Sequence, residues 1–154
     1  MSKYIYRKDC INISELNKFR FFLIIFTFVG ILGCGHYIAP YNETAYQNAT
    51  DLKVESLALV DKSTEPYSDH VQDVQSLMIK IDQAYEFAKG LPKNGITTKQ
   101  WEIIIDPNRN MLGGFIKKWE ADGKLREVFV KEFKTQVSQG FDQLIELESA
   151  KIKE

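Results

Sequence analysis

A short apolar run near the start of the chain limits the possible architectures most strongly. It extends from Phe21 to Leu32 and follows the basic residues Lys18 and Arg20. Its length matches the apolar core of a secretory signal, which has about 7–15 residues. It is too short to span a bilayer as a helix, which needs about 20 residues. The run therefore predicts a cleaved signal segment, with the rest of the chain delivered outside the cytoplasm.

The run ends in Ile31-Leu32-Gly33-Cys34, which resembles the lipobox of bacterial lipoproteins. In that family a branched apolar residue, a small-to-medium residue and Gly or Ala precede a cysteine that is lipidated and becomes the new N-terminus. The resemblance implies that Cys34 is the lipidation site, although Leu32 is bulkier than usual and Ile31 replaces the commonest Leu. Gly35 follows the cysteine where Asp usually marks inner-membrane retention, so the resemblance favours the outer membrane, facing the periplasm.

The alternative to a cleaved signal is an uncleaved single-pass anchor formed by residues 21–39. Gly30, Gly33, Gly35 and His36 make the far end of such a helix less apolar, which weakens it as a membrane span. In both cases the basic leader stays inside the cell, and most of the chain lies in the cell envelope.

The remainder of the chain has the composition of a folded domain rather than of a disordered tail. The chain is 44% hydrophobic, 27% charged and 12% aromatic, as ordinary globular proteins are. Removal of residues 1–33 leaves 121 of the 154 residues, which is enough for one hydrophobic core. We therefore divide the chain into a signal or anchor segment (1–33), a short tether (34–41) and a helical domain (42–154).

Charge and cysteine content exclude two classes of protein. The predicted mature part carries 15 basic and 19 acidic residues. This net negative charge is unlike the basic composition of a nucleic-acid-binding protein. The chain has two cysteines, Cys10 in the leader and Cys34. Removal of the leader leaves Cys34 without a disulfide partner, so we predict a domain without disulfides.

Apolar residues recur at three- and four-residue spacing through most of the predicted domain, which indicates helices. The predicted helices cover about 42–62, 66–90, 97–106 and 111–121, and a last one extends from about 125 towards the terminus. The predicted fold is all-α, an antiparallel bundle of about four helices in which the two short segments form one broken element.

Three features refine the ends of these helices. Thr44-x-x-Gln47 and Thr97-x-x-Gln100 have the spacing of capping boxes at helix starts. Lys151 lies at the end of the last helix, where the helix dipole favours a cation.

No motif supplies a catalytic centre, a cofactor site or a metal site. Residues 106–110 imitate the first ligands of an EF-hand loop, but Met111 and Lys117 occupy the positions that need Gly and a bidentate Glu. A polar turn is the better interpretation. His70 stands beside Asp69 without a nucleophile motif elsewhere, which favours a helix-capping role. We predict no enzyme activity and no cofactor.

Aromatic and branched residues on the two short helices are the candidates for a partner surface. Trp101, Ile105 and Trp119 carry a large apolar area. At helical spacing such residues are more often part of the core, but any part that the bundle leaves exposed would mark a site for a partner.

Two functions remain open at this point. The first is a lipid-anchored cell-envelope protein whose helical domain acts as an interaction or scaffold module for an unidentified envelope partner. The second is a small-ligand or envelope-component binder that uses an inter-helix pocket near Trp101 and Trp119. A filled core favours the first function, and an apolar cavity between the helices favours the second.

Overall fold

The computed structural model describes residues 38–151, which contain five α-helices. The helices are α1 (Glu43–Asp61), α2 (Val71–Gly90), α3 (Gly95–Ile105), α4 (Leu112–Asp122) and α5 (Glu127–Ser149). Two short 3-10 turns, Lys62–Thr64 and Tyr67–Asp69, connect α1 to α2. The predicted signal segment, Cys34 and the first part of the tether lie outside the described residues.

The all-α prediction is confirmed for residues 38–151, which contain no strand. The structure has five separate helices there rather than about four. None of these helices combines the length and the apolar character that crossing a membrane requires.

The helix starts differ from the predicted capping boxes. Asn42 caps α1, because its side-chain oxygen accepts a hydrogen bond from the backbone N–H of Ala45 at 3.0 Å. Thr44 lies inside α1. At the start of α3 the residue before the helix is Asn94, and no side chain caps the first turn. The predicted caps at Thr44 and Thr97 are therefore wrong. At α1 it is Asn42 that has the extended backbone of an N-cap residue.

The long helices α1, α2 and α5 pack with α1 in contact with both of the others. Exposed ion pairs give their directions. Glu55 pairs with Lys80, and Lys62 pairs with Asp73, so residue numbers rise along α1 while they fall along α2. The same reversal relates α1 to α5, where the ion pairs are Lys53–Asp142 and Asp61–Lys134. Both neighbours of α1 are therefore antiparallel to it.

The short helices complete the domain, with α3 packed against α2 and α5, and α4 packed against α3. One hydrophobic core extends through all five helices. Its largest fully buried side chains are Trp101, Trp119, Phe115 and Phe141. The amphipathic pattern of the sequence thus places one apolar face of each helix in a shared interior.

The two adjacent glycines at the start of α4 allow a close backbone approach. A Cβ on Gly113 would overlap the carbonyl oxygen of Ile105, and a Cβ on Gly114 would overlap that of Arg109. Backbone carbonyls cannot move aside as a flexible side chain can. Both positions therefore need glycine, and they set how tightly α4 folds back on the end of α3.

Candidate functional site

The three predicted partner-surface residues contribute mainly to the core. Trp101 and Trp119 are 2% and 0% exposed, and Ile105 is half-buried against the core. Trp101 packs edge-to-face on Phe141 with ring centroids 6.0 Å apart. Trp119 meets Tyr67 edge-to-face at 5.4 Å. These residues are packed together with the rest of the interior, so the two indoles present no apolar patch to solvent.

A buried polar junction joins the C-terminal end of α5 to the turn between α2 and α3. Lys151 Nζ donates hydrogen bonds to Asn94 Oδ1 at 2.6 Å, to Thr97 Oγ1 at 3.1 Å and to Glu148 Oε1. The side chains of Glu148 and Lys151 are each 1% exposed. We call Asn94, Thr97, Glu148 and Lys151 the buried lysine network. All three N–H donors of the ammonium group have an acceptor there.

The buried lysine network is satisfied at every polar atom but one. Thr97 Oγ1 donates to Glu148 Oε1 at 2.8 Å, and Asn94 Nδ2 donates to the carbonyl oxygen of Ala88 at 2.7 Å. Glu148 Oε2 is buried without a hydrogen-bond partner among the described residues. The carboxylate therefore depends strongly on Lys151, because an ionised group in the interior is costly unless it is paired.

A second polar cluster lies at the other end of the domain, around the connection between α1 and α2. His70 Nε2 is 2.6 Å from Glu65 Oε2, and His70 Nδ1 is 3.3 Å from Asp73 Oδ2. Lys62 Nζ donates to Asp73 Oδ2 at 2.8 Å. We call Lys62, Glu65, His70 and Asp73 the histidine cluster. The imidazole packs on the buried Trp119 ring with centroids 5.6 Å apart, so the cluster covers one edge of the core.

The histidine cluster corrects the predicted role of His70. The residue precedes α2, but its side chain makes no capping hydrogen bond. Both ring nitrogens face carboxylates instead. The hydrogen bond to Glu65, together with the one to Asp73, raises the pKa of His70 above 6.5 against the opposing effect of burial. The hydrogen bond from Lys62, followed by that from His70, lowers the pKa of Asp73.

The EF-hand lookalike forms a polar turn between α3 and α4. Asp106 Oδ1 accepts a hydrogen bond from the backbone N–H of Asn108 at 2.9 Å, and this bond holds the pKa of Asp106 below its ordinary value. Within residues 38–151 no three His, Cys, Asp or Glu side chains are grouped in a way that would hold a metal ion. Local turn formation accounts for this motif.

No family model, curated protein or solved structure matches this chain. The function is therefore inferred from the surface that the fold presents.

An open cleft beside the turn between α4 and α5 has a volume of about 740 Å³. Its lining residues are Asp61, Thr64, Lys124, Leu125, Arg126, Glu127, Val130, Lys131 and Lys134. We call this set the cationic groove, because four of its members are cations and two are carboxylates.

Two backbone hydrogen bonds hold the walls of the cationic groove together. The N–H of Leu125 donates to the carbonyl oxygen of Ser63 at 2.8 Å, and the N–H of Tyr67 donates to that of Gly123 at 2.6 Å. Gly123 has φ of 77°, a left-handed conformation that glycine adopts without strain. The turn between α4 and α5 is thus fixed to the connection that follows α1.

Three of the groove cations are available to an incoming group. Lys134 is paired with Asp61 at 2.6 Å, whereas the side chains of Lys124, Arg126 and Lys131 make no ion pair or hydrogen bond within the described part of the chain. All three residues are exposed. Cations held at one place without a partner are suited to bind carboxylate or phosphate groups.

The sequence-based interpretation missed both the buried lysine network and the cationic groove. The spacing of Glu148 and Lys151 is that of an ordinary helical ion pair, and no sequence signal distinguishes a buried pair from an exposed one. The groove brings Asp61 and Thr64 together with residues some sixty positions later in the chain. The antiparallel packing of α5 on α1 and the turn between α4 and α5 bring these distant segments together.

Proposed function

We propose that this chain is a lipid-anchored protein of the cell envelope whose helical domain binds another envelope component and performs no catalysis. The motif Ile31-Leu32-Gly33-Cys34, which lies outside the described residues, supports the anchor through its resemblance to a lipobox. The following Gly35 supports placement at the outer membrane, facing the periplasm. On this proposal Cys34 carries the lipid, and the tether of residues 34–41 holds the domain near the membrane.

The observation that carries the interaction role is the contrast between a filled interior and an open, charged surface cleft. Trp101 and Trp119 are buried in the core, and neither lines the cationic groove. The space between the helices is therefore occupied by the protein's own side chains at this point. A partner would bind on the outside of the antiparallel bundle, where the cationic groove exposes unpaired charged side chains.

The groove lies at the end of the helical domain opposite its first described residues. The described chain enters α1 at Glu43, and the groove begins at Asp61 at the other end of that helix. A helix of 19 residues is about 28 Å long at 1.5 Å per residue. A partner at the groove would therefore bind at the end of the domain far from the residues that follow the tether.

The anchor is tested by the intact mass of protein extracted from bacterial membranes. The wild type, the variant Cys34→Ser and wild type from cells treated with globomycin, an inhibitor of lipoprotein signal cleavage, are compared. We expect a mature species that begins at a diacylated Cys34 in the untreated wild type alone. A full-length mass with Met1 retained in all three samples would contradict the proposal and indicate an uncleaved single-pass anchor.

A further inference from the structure

We infer that the cationic groove binds an extended acidic segment of a partner protein. This inference names the partner class for the interaction role and rests on the proposed function in that respect. It concerns residues 61–139, all within the described domain, and its test does not depend on how Cys34 is processed.

The first support is the concentration of unpaired positive charge. Residues 38–151 carry 14 basic and 18 acidic side chains, so the domain as a whole is acidic. Six of the basic side chains have no carboxylate partner within that range: Lys93, Lys99, Lys117, Lys124, Arg126 and Lys131. Half of these line a single cleft. A local cluster of this kind, on a domain of the opposite net charge, selects and orients an acidic partner.

The second support is the shape of the groove. A further cleft of about 350 Å³ continues along α1 and α5, and it shares Lys131 and Lys134 with the cationic groove. The linings of these two adjacent clefts together extend from Lys124 to Gln139. An extended peptide fills such a shape along its length, whereas a single small anion would contact only one part of it.

The third support is the mixed chemistry of the lining. Leu125 and Val130 lie 6% exposed at the floor of the groove, between the cations. The continuing cleft is bordered by Leu57. An acidic peptide carries apolar side chains that can cover this floor while its carboxylates meet the cations. A phosphate polymer has no such groups, so the apolar floor favours a peptide.

Two carboxylates in the lining set the balance of charge. Asp61 is neutralised by Lys134. Glu127 lies in the first turn of α5 without a hydrogen bond or ion pair through its side chain in the described residues. It opposes an acidic ligand, and removing its charge should therefore strengthen binding.

The test uses the full-length protein in detergent and a fluorescein-labelled peptide rich in Glu with interspersed Leu, with binding measured by fluorescence anisotropy. The groove variant combines Lys124→Gln, Arg126→Gln and Lys131→Gln. The matched control combines Lys93→Gln, Lys99→Gln and Lys117→Gln, which removes the same charge from cations outside the groove. A peptide with Gln in place of Glu and inorganic polyphosphate are the comparison ligands.

We expect the groove variant to weaken peptide binding at least about tenfold and the control variant to change it less than about twofold. We also expect Glu127→Gln to tighten binding and the Gln peptide not to bind. Equal losses in the two triple variants would overturn the inference, because binding would then follow overall charge. So would absence of peptide binding, or groove-dependent binding of polyphosphate without binding of the peptide. Lipidation is tested independently by the intact-mass measurement. A negative result in the peptide-binding assay would therefore not contradict the proposed anchor.

Discussion

Polar side chains connect neighbouring segments at each end of the helical domain. The charged groups at one end are buried, whereas the carboxylates at the other end are exposed to solvent. In the buried lysine network the Glu148 and Lys151 side chains are each 1% exposed. In the histidine cluster the Glu65 and Asp73 side chains are 61% and 50% exposed, although the His70 ring between them is only 13% exposed. The same kinds of charged side chains are therefore found in two different environments, the protein interior and the solvent-exposed surface.

The difference in exposure decides what each junction contributes. At the exposed end, water replaces a lost partner, so each ion pair contributes little and the cluster can respond to pH. At the buried end, a lost partner leaves an uncompensated charge in the interior, which is far more costly than the pair itself is stabilising. The buried lysine network is therefore expected to hold α5 against the turn between α2 and α3. The histidine cluster is expected to make a smaller, pH-dependent contribution to stability at the opposite end.

The largest expected effect comes from breaking the buried pair on one side. Lys151→Met leaves the Glu148 carboxylate buried and unpaired, and we expect the free energy of unfolding to fall by about 3–5 kcal/mol. Urea unfolding followed by circular dichroism measures it. The double variant Lys151→Met, Glu148→Leu should lose clearly less. A double variant less stable than the single one would contradict this explanation, because removing the unpaired carboxylate would then fail to restore stability.

A smaller effect is expected from the hydroxyl that bridges the pair. Thr97→Val keeps the shape of the side chain but removes a donor to Glu148 and an acceptor for Lys151, so we expect a loss of about 1–3 kcal/mol in urea unfolding. Thr135→Val is the matched control. Thr135 is exposed and bonds only to a carbonyl of its own helix. Equal losses in both variants would argue against a special role of burial.

The exposed end is expected to respond to pH, with a smaller amplitude. The pKa of His70 is raised above 6.5 in the folded chain, so its contribution is complete below pH 6.5 and is lost as the pH rises through the raised value. The lowered pKa of Asp73 has the opposite sense, and its contribution is lost only as the pH falls below 3.8 through the lowered value. Stability should therefore decline from about pH 6.5 upwards.

The variant His70→Gln isolates this pH response. We expect urea midpoints to fall between about pH 6 and pH 8 in the wild type, and we expect the fall to be smaller in the variant. His36, the other histidine of the chain, is retained in both proteins and serves as the internal reference. Identical slopes in the two proteins would rule out His70 as the source.

The smallest effect is expected for an isolated surface pair between α1 and α2. Lys80 contacts Glu55 at 2.7 Å, but the two side chains are 53% and 42% exposed. We expect Lys80→Met to change the free energy of unfolding by less than about 1 kcal/mol. A loss as large as that of Lys151→Met would remove the distinction between the two environments. The same urea series measures it.

The helical segments were predictable because helix formation follows a local pattern of apolar residues. The predicted end of the second helix coincides with Gly90, and the predicted start of the fourth segment lies one residue before Leu112. The caps were less predictable. Asn42 and Thr44 are both good capping residues by type, and only the backbone conformation shows that Asn42 occupies the cap of α1.

The surface was much less predictable than the helices. Trp101 and Trp119 were expected more often in the core and were kept as candidates for a partner surface, and the five helices bury both of them. Lys151 was expected only to complement a helix dipole, yet its side chain enters the interior and contacts Asn94. Burial depends on which helix faces overlap, and neighbouring residues in the sequence carry little information about that overlap.

The sequence by itself determined the all-helical character of residues 38–151, because a repeat of three and four residues is compatible with one kind of secondary structure. The tertiary structure decided which charges are paired, buried or open. Antiparallel packing of α5 on α1 pairs Lys134 with Asp61, and the turn between α4 and α5 leaves Lys124 and Arg126 unpaired beside them. The interaction energy between two charged side chains depends on the distance between them and on their exposure to water. Both are decided by how segments distant in the sequence pack together.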